Sequence, residues 1–237
     1  MRPVDLAAHC NADMAKLFSP ATQWRIDYTG CQHGVDRRPN LPPRDELGYV
    51  LLNSVMSVFE YGTLQEQVPA TKRIELGPLS ERIDAPVPFQ LAKGRLLAVC
   101  RTQPHERFPS RVTLTLDRPK RIEKVYLLTA NIVKTLKCYY PAAEVVLHFG
   151  EGPGECHQMI PPYSMPSVVG HICPAAHAIR VGKLVGGGNP VADTACYLSI
   201  TDLAARSDKP VTAIELRSVA TETLLGVAGL TLLERQD

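Results

Sequence analysis

Cys156, His157, His171, Cys173 and His177 lie together in "ECHQMIPPYSMPSVVGHICPAAH", residues 155–177, and each can ligate a metal. A structural zinc site takes four nitrogen or sulfur ligands converging tetrahedrally, usually as two pairs at short fixed spacing. Cys156 and His157 are adjacent and do not easily reach one ion. A strand would align His171 with Cys173, but Pro174 cuts it short. The spacing favours a shaped loop over a metal centre. Pro153, Pro161, Pro162, Pro166 and Pro174 stiffen that loop by fixing φ. Tyr163, His171 and His177 then stand as ligand-binding candidates on its rim, because binding residues favour loops on a rigid scaffold.

A second cluster is "WRIDYTGCQHGVD", residues 24–36, with the only tryptophan of the chain. A pyranose is commonly bound by an aromatic platform against its apolar face, with charged or amide groups on its hydroxyls. Trp24, Asp27, Tyr28, His33 and Asp36 supply those types. The competing role for Trp24 and Tyr28 is cover for the edge of the core, since aromatic side chains bury large areas. Two further stretches read as connections. "QPHERFPSR" (103–111) is a charged turn between strands. "VGGGNPVADTACY" (185–197) is a tight turn and not a phosphate loop, for no Gly-Lys-Ser/Thr follows its glycines. The nucleophile elbow G-x-S-x-G, the zinc-protease H-E-x-x-H and the deaminase H-x-E with P-C-x-x-C are all absent.

Composition narrows the classes. The 237 residues carry 26 Lys+Arg against 24 Asp+Glu, which argues against a partner held by phosphate charge, and no nucleic acid is expected. The basic runs Arg37-Arg38, Lys72-Arg73 and Arg118-Pro119-Lys120-Arg121 are short enough to be solvated turns. The seven cysteines are an odd number, so at least one is unpaired within the chain. Most are expected to be reduced, with Cys100 and Cys138 buried or half-buried and Cys196 in or beside a strand. No apolar run approaches the length of a membrane helix, so no membrane partner is expected. The opening residues lack the pattern of a signal peptide. The expectation is an intracellular protein or a module of a longer exported chain.

What positions these residues is a set of strands. The 20 prolines and 16 glycines break the chain into short segments. Between them the apolar residues alternate: Val112, Leu114 and Leu116 in 111–117; Val145, Leu147 and Phe149 in 144–150; Ile214 and Leu216 against Glu215 and Arg217 in 213–219. These are half-buried antiparallel strands. Residues 94–100 and 124–130 are nearly continuous apolar runs, expected as central strands covered on both faces. Residues 177–186 and 224–234 are further strands. Apolar spacing in "DELGYVLLNSVMSVF", after Pro42-Pro43, predicts a short helix near 45–53, with a strand as the alternative. The fold class is all-β: an antiparallel β-sandwich of jelly-roll type with one or two short helices. One domain is expected over 1–237, with an N-terminal strand and irregular wrap over 1–60 and a sandwich core over 86–234.

"RIEKVYLLTANIVKTLKCYYPAAEVVLHFGEG" (121–152) and "KPVTAIELRSVATETLLGVAGLTLLE" (209–234) resemble the galactose-binding-like β-sandwich. That fold occurs in carbohydrate-binding modules and ancillary domains of bacterial glycoside hydrolases and polysaccharide lyases. The resemblance spans roughly 86–234, with "PVDLAAHCN" fitting an opening edge strand. It implies non-catalytic glycan binding, as an ancillary module or a stand-alone protein, with a glycan as ligand and a catalytic domain or partner chain as neighbour. It also implies a structural calcium near the chain ends, for which Asp13 and Glu222 are the positions. The rival readings are a carbohydrate-active enzyme, either glycoside hydrolase or polysaccharide lyase, and a structural domain packing on a catalytic partner.

Overall fold

The computed structural model describes residues 1–14, 23–25, 49–51, 73–76, 82–83, 87–100, 108–133, 141–161, 164–166, 178–185, 194–219 and 223–236. Every element among them is a strand. They are β1 (Arg2–Val4), β2 (Ala12–Asp13), β3 (Gln23–Arg25), β4 (Tyr49–Leu51), β5 (Arg73–Leu76), β6 (Arg82–Ile83), β7 (Phe89–Gln90), β8 (Arg95–Cys100), β9 (Arg111–Lys120), β10 (Ile122–Thr129), β11 (Ile132–Val133), β12 (Ala143–Phe149), β13 (Glu155–Met159), β14 (Ala178–Val185), β15 (Thr194–Ala204), β16 (Val211–Ser218) and β17 (Thr223–Glu234).

Two antiparallel sheets face each other. The nine-stranded sheet runs β2-β8-β17-β10-β15-β14-β5, with β1 and β11 also on β17; the four-stranded sheet runs β13-β12-β16-β9. The core between them draws Leu97, Val99, Val125, Leu127, Leu225, Val227, Leu230 and Leu232 from the large sheet. Leu114, Val145, Leu147, Met159, Ile214 and Leu216 come from the small one. This is the all-β sandwich the alternating pattern predicts.

The two sheets differ in what covers them. β17 is buried over Thr223–Leu232, so both of its faces are occupied, and its near-continuous apolar sequence follows from that. Against its far face lies the segment around β7. The Phe89 ring stands where a Cβ on Gly229 would meet it at 3.0 Å, and the Thr231 hydroxyl donates to the Pro88 carbonyl. In the small sheet, exposed and covered residues alternate along β9 from Arg111 to Asp117, while β12 and β16 also bury Val146 and Glu215 on the outer side.

Three elements depart from the expectations. Tyr49–Leu51 are strand, paired with β3 through Trp24 and Val50, so the helix over 45–53 is not formed at these residues. Their apolar run satisfies a strand equally well. Glu155–Met159, expected as the start of a loop, form β13 against β12. Thr194–Cys196, expected in a turn, open the eleven-residue β15.

Candidate functional site

Strand alternation decides which side chains of the small sheet meet the core and which meet solvent. On β12, Val145 and Leu147 are fully buried in the core, which turns Glu144, Val146 and His148 to the outer face. The ladder sets Glu144 opposite Arg217, Val146 opposite Glu215, and His148 opposite Ala213. On the other side of β12, Gln158 pairs with Glu144 and Cys156 with Val146. β9 adds Thr113 beside Glu215 and Arg111 beside Arg217. The outer face therefore carries Gln158, Glu144, Arg217 and Arg111 in one row and Cys156, Val146, Glu215 and Thr113 in the next.

These groups are connected. The Arg217 Nε donates to Glu144 Oε2, and its Nη1 lies 3.9 Å from Glu215 Oε1. The other carboxylate oxygen of Glu215 is 3.0 Å from His148 Nε2. Arg217 Nη2 also points at Cys156 Sγ, 3.9 Å away. Burial works against the Arg217 charge, but the hydrogen bonds to Glu144 and Cys156 outweigh it, so its pKa is raised. Glu215 is 9% exposed although it faces outward, because its neighbours on β12 and β16 lean over it. The lead-in to β13 fits closely as well. A Cβ on Gly154 would stand 2.7 Å from Val146 Cγ1 and 3.0 Å from the Leu147 carbonyl oxygen.

The inner face of β13 does different work. Glu155 lies on the core side and accepts hydrogen bonds from the backbone N–H groups of Arg206 and Ser207, at 2.8 and 3.0 Å. It thereby ties the connection between β15 and β16 to the sheet. His157 Nε2 sits 2.8 Å from Glu155 Oε1 but is not aligned for a hydrogen bond. Burial pushes the His157 pKa down, and the Glu155 carboxylate opposes this only in part.

Cys156 and His157 thus point to opposite faces of one strand and cannot share a metal ion, as their adjacency implies. Among the described residues no three His, Cys, Asp or Glu side chains converge as a metal-ligand group. Asp13 is exposed in β2, where it pairs with Arg95. Glu222 lies outside the described residues. Trp24 is placed by the backbone register of β3. Asp27, Tyr28, His33, Asp36, Tyr163, His171 and His177 lie outside the described residues. Cys10 and Cys156 are free thiols, Cys100 is buried, and Cys196 is in β15; Cys138 lies outside the described residues.

The outer-face cluster was not among the sequence candidates. Its signal was the polar half of each alternation, Glu215 and Arg217 on β16 and Glu144 and His148 on β12. The register between the strands is needed to see that they meet. No protein-family model matches the chain, and no curated protein matches it in sequence.

Proposed function

We propose that the chain is a non-catalytic glycan-binding domain that holds its ligand on the outer face of the four-stranded sheet. The observation that carries this reading is the Gln158–Glu144–Arg217–Arg111 row, with Arg217 bonded to Glu144 on adjacent strands. A guanidinium, a carboxylate and an amide side by side supply donors and acceptors in fixed planes. Vicinal sugar hydroxyls both donate and accept, so a pyranose edge can bridge such a pair. Side chains on packed strands are held more firmly than side chains on loops, which favours recognition of a weakly distinctive ligand. The resemblance to the galactose-binding-like sandwich points the same way.

The rival enzyme reading fits the row less well. A glycosidase sets one carboxyl free to protonate the leaving group and another to attack or activate water. Here Glu144 and Glu215 both face the one Arg217 guanidinium, so neither stands free of a cation.

A glycan array followed by calorimetry tests the proposal. At least one neutral or acidic glycan should bind, and Arg217→Ala should weaken it about tenfold or more, which is ~1.4 kcal/mol. The absence of any bound glycan, or equal binding by Arg217→Ala, overturns it.

A further inference from the structure

β9 closes one edge of the four-stranded sheet, and among the described residues its only strand partner is β16. Such an edge offers a row of backbone N–H and C=O groups to another strand, and proteins usually blunt it. Here the blunting starts late. Exposed and covered residues alternate from Arg111 through Asp117, and the alternation then breaks at Arg118 and Pro119. The register against β16 is also interrupted between Thr115 and Lys120. The opposite edge is engaged already, since the Cys156 carbonyl of β13 accepts a hydrogen bond from the Arg206 guanidinium at 3.1 Å.

The open segment, "RVTLTLD", is complementary to itself when reversed. Place a two-fold axis at Leu114 and run a second copy antiparallel to the first. Leu114 then faces its own equivalent, Thr113 faces Thr115, Val112 faces Leu116, and Arg111 faces Asp117. Threonine pairs and opposite-charge pairs across an antiparallel ladder each stabilise it. Val112 and Leu116 are only partly covered by the core, and this pairing covers them further. A slip by one residue sets Arg111 against Leu116 and loses both charge pairs, so the sequence specifies the register. Asp117 already lies 3.2 Å from Arg2 and from Lys120, yet its side chain is 56% exposed and has room for a second cation.

We infer that β9 is a self-association edge, along which two copies of this chain pair antiparallel about Leu114 into one continuous eight-stranded sheet. The occupant is a second copy because the segment's charges match its own reversed sequence. A strand that pairs with its own copy about a two-fold axis makes an isologous contact, so the assembly closes as a symmetric pair. The outer-face rows of both copies then lie on the same side of the joined sheet. The inference does not depend on what those rows bind.

Sedimentation velocity on the full chain tests it. Strand pairing of this length gives a small interface, so the wild type should pass from monomer to dimer as concentration rises toward about 0.5 mM. The doubly substituted variants T113K/T115K and T113E/T115E place like charges opposite each other, at exposed positions that make no ion pair. Each should dimerise at least tenfold more weakly at a temperature where it is fully folded, because T113E also stands opposite Glu215 in the ladder and lowers the melting temperature. Mixing the two variants places opposite charges face to face and should restore a dimer. A wild type that stays monomeric, variants that dimerise like the wild type, or a mixture that fails to associate each overturns the inference. If either variant melts early, Arg111→Asp mixed with Asp117→Lys repeats the test with the same expected and refuting outcomes.

Discussion

Gly154→Ala places a methyl group where the hairpin between β12 and β13 has no room for it. The new Cβ would stand 2.7 Å from Val146 Cγ1, 3.0 Å from the Leu147 carbonyl oxygen and 3.4 Å from His148 Nδ1. Val146 is β-branched and 6% exposed, so it has little rotamer freedom with which to withdraw. The Leu147 oxygen belongs to the backbone of β12 and cannot move without disturbing the ladder. Overpacking of this kind costs about 1–3 kcal/mol. Replacing glycine in extended chain returns about 0.5–1 kcal/mol by reducing the freedom of the unfolded state. The net loss is about 0–2.5 kcal/mol, or up to about 10 °C in melting temperature for a chain of this size. Gly150→Ala, at the other end of the same hairpin, is the control. Its Cβ would meet only Thr212 Cγ2, at an ordinary 3.9 Å. Urea unfolding of both variants against the wild type reads the difference as a shift in midpoint at constant slope. Because Val146 and His148 border the outer-face cluster, Gly154→Ala should also weaken ligand binding while Gly150→Ala does not. If Gly154→Ala proves as stable as Gly150→Ala, the close packing of β13 on β12 is not what positions the site.

Two further outcomes follow from the buried titratable groups. Burial holds His157 neutral below its ordinary value of 6.5, so the folded state binds fewer protons than the unfolded one. The stability this contributes is fully present above pH ~6.5 and is lost as the pH falls below it. His157→Gln should flatten the pH dependence of the denaturation midpoint between about pH 6.5 and 5, and an unchanged slope refutes the assignment. Of Cys10, Cys100 and Cys156, Cys156 should react first with a thiol reagent. Cys10 and Cys100 are buried, and burial raises the Cys10 pKa, which withholds the reactive thiolate. Mass-spectrometric mapping of native and unfolded protein checks the order, and Cys10 or Cys100 labelling ahead of Cys156 contradicts it.

Much of the architecture was legible because the small sheet obeys a simple rule. With one face in the core and one in solvent, β9, β12 and β16 show apolar residues at every second position, and each was placed from sequence. The large sheet breaks that rule where it is covered twice, but runs such as "LLGVAGLTLLE" still read as strand from their length and apolar density. β13 escaped notice because its inward positions include Glu155 and His157. Glu155 is satisfied not by the core but by the Arg206–Ser207 backbone, and His157 lies against it, so polar residues fell where the pattern asks for apolar ones. β15 escaped for a related reason. Ser199 and Thr201 take the same face as Leu203, and Thr201 donates its hydroxyl to the Ser164 carbonyl, so hydroxyls replace apolar side chains along part of the inward face. In both strands a long-range polar contact stands in for burial, and one-dimensional pattern reading cannot see such a partner.

The outer-face cluster follows from the same difference between the sheets. The far side of β17 is occupied, while the outer face of the four-stranded sheet carries only its own side chains among the described residues. If that face served only solubility, separate charges would suffice, and exposed ion pairs add little stability. Glu215 does not fit that picture. It is nearly as buried as a core residue, between His148 and Arg217, and a buried carboxylate loses hydration that its partners must replace. Its Oε1 accepts no hydrogen bond among the described residues, so the replacement is incomplete. A costly charge on an open face, fixed by rigid strands and joined to a guanidinium that bonds a second carboxylate, is better explained by positioning than by solubility. It holds the Arg217 guanidinium beside Glu144, where the proposed ligand would be met.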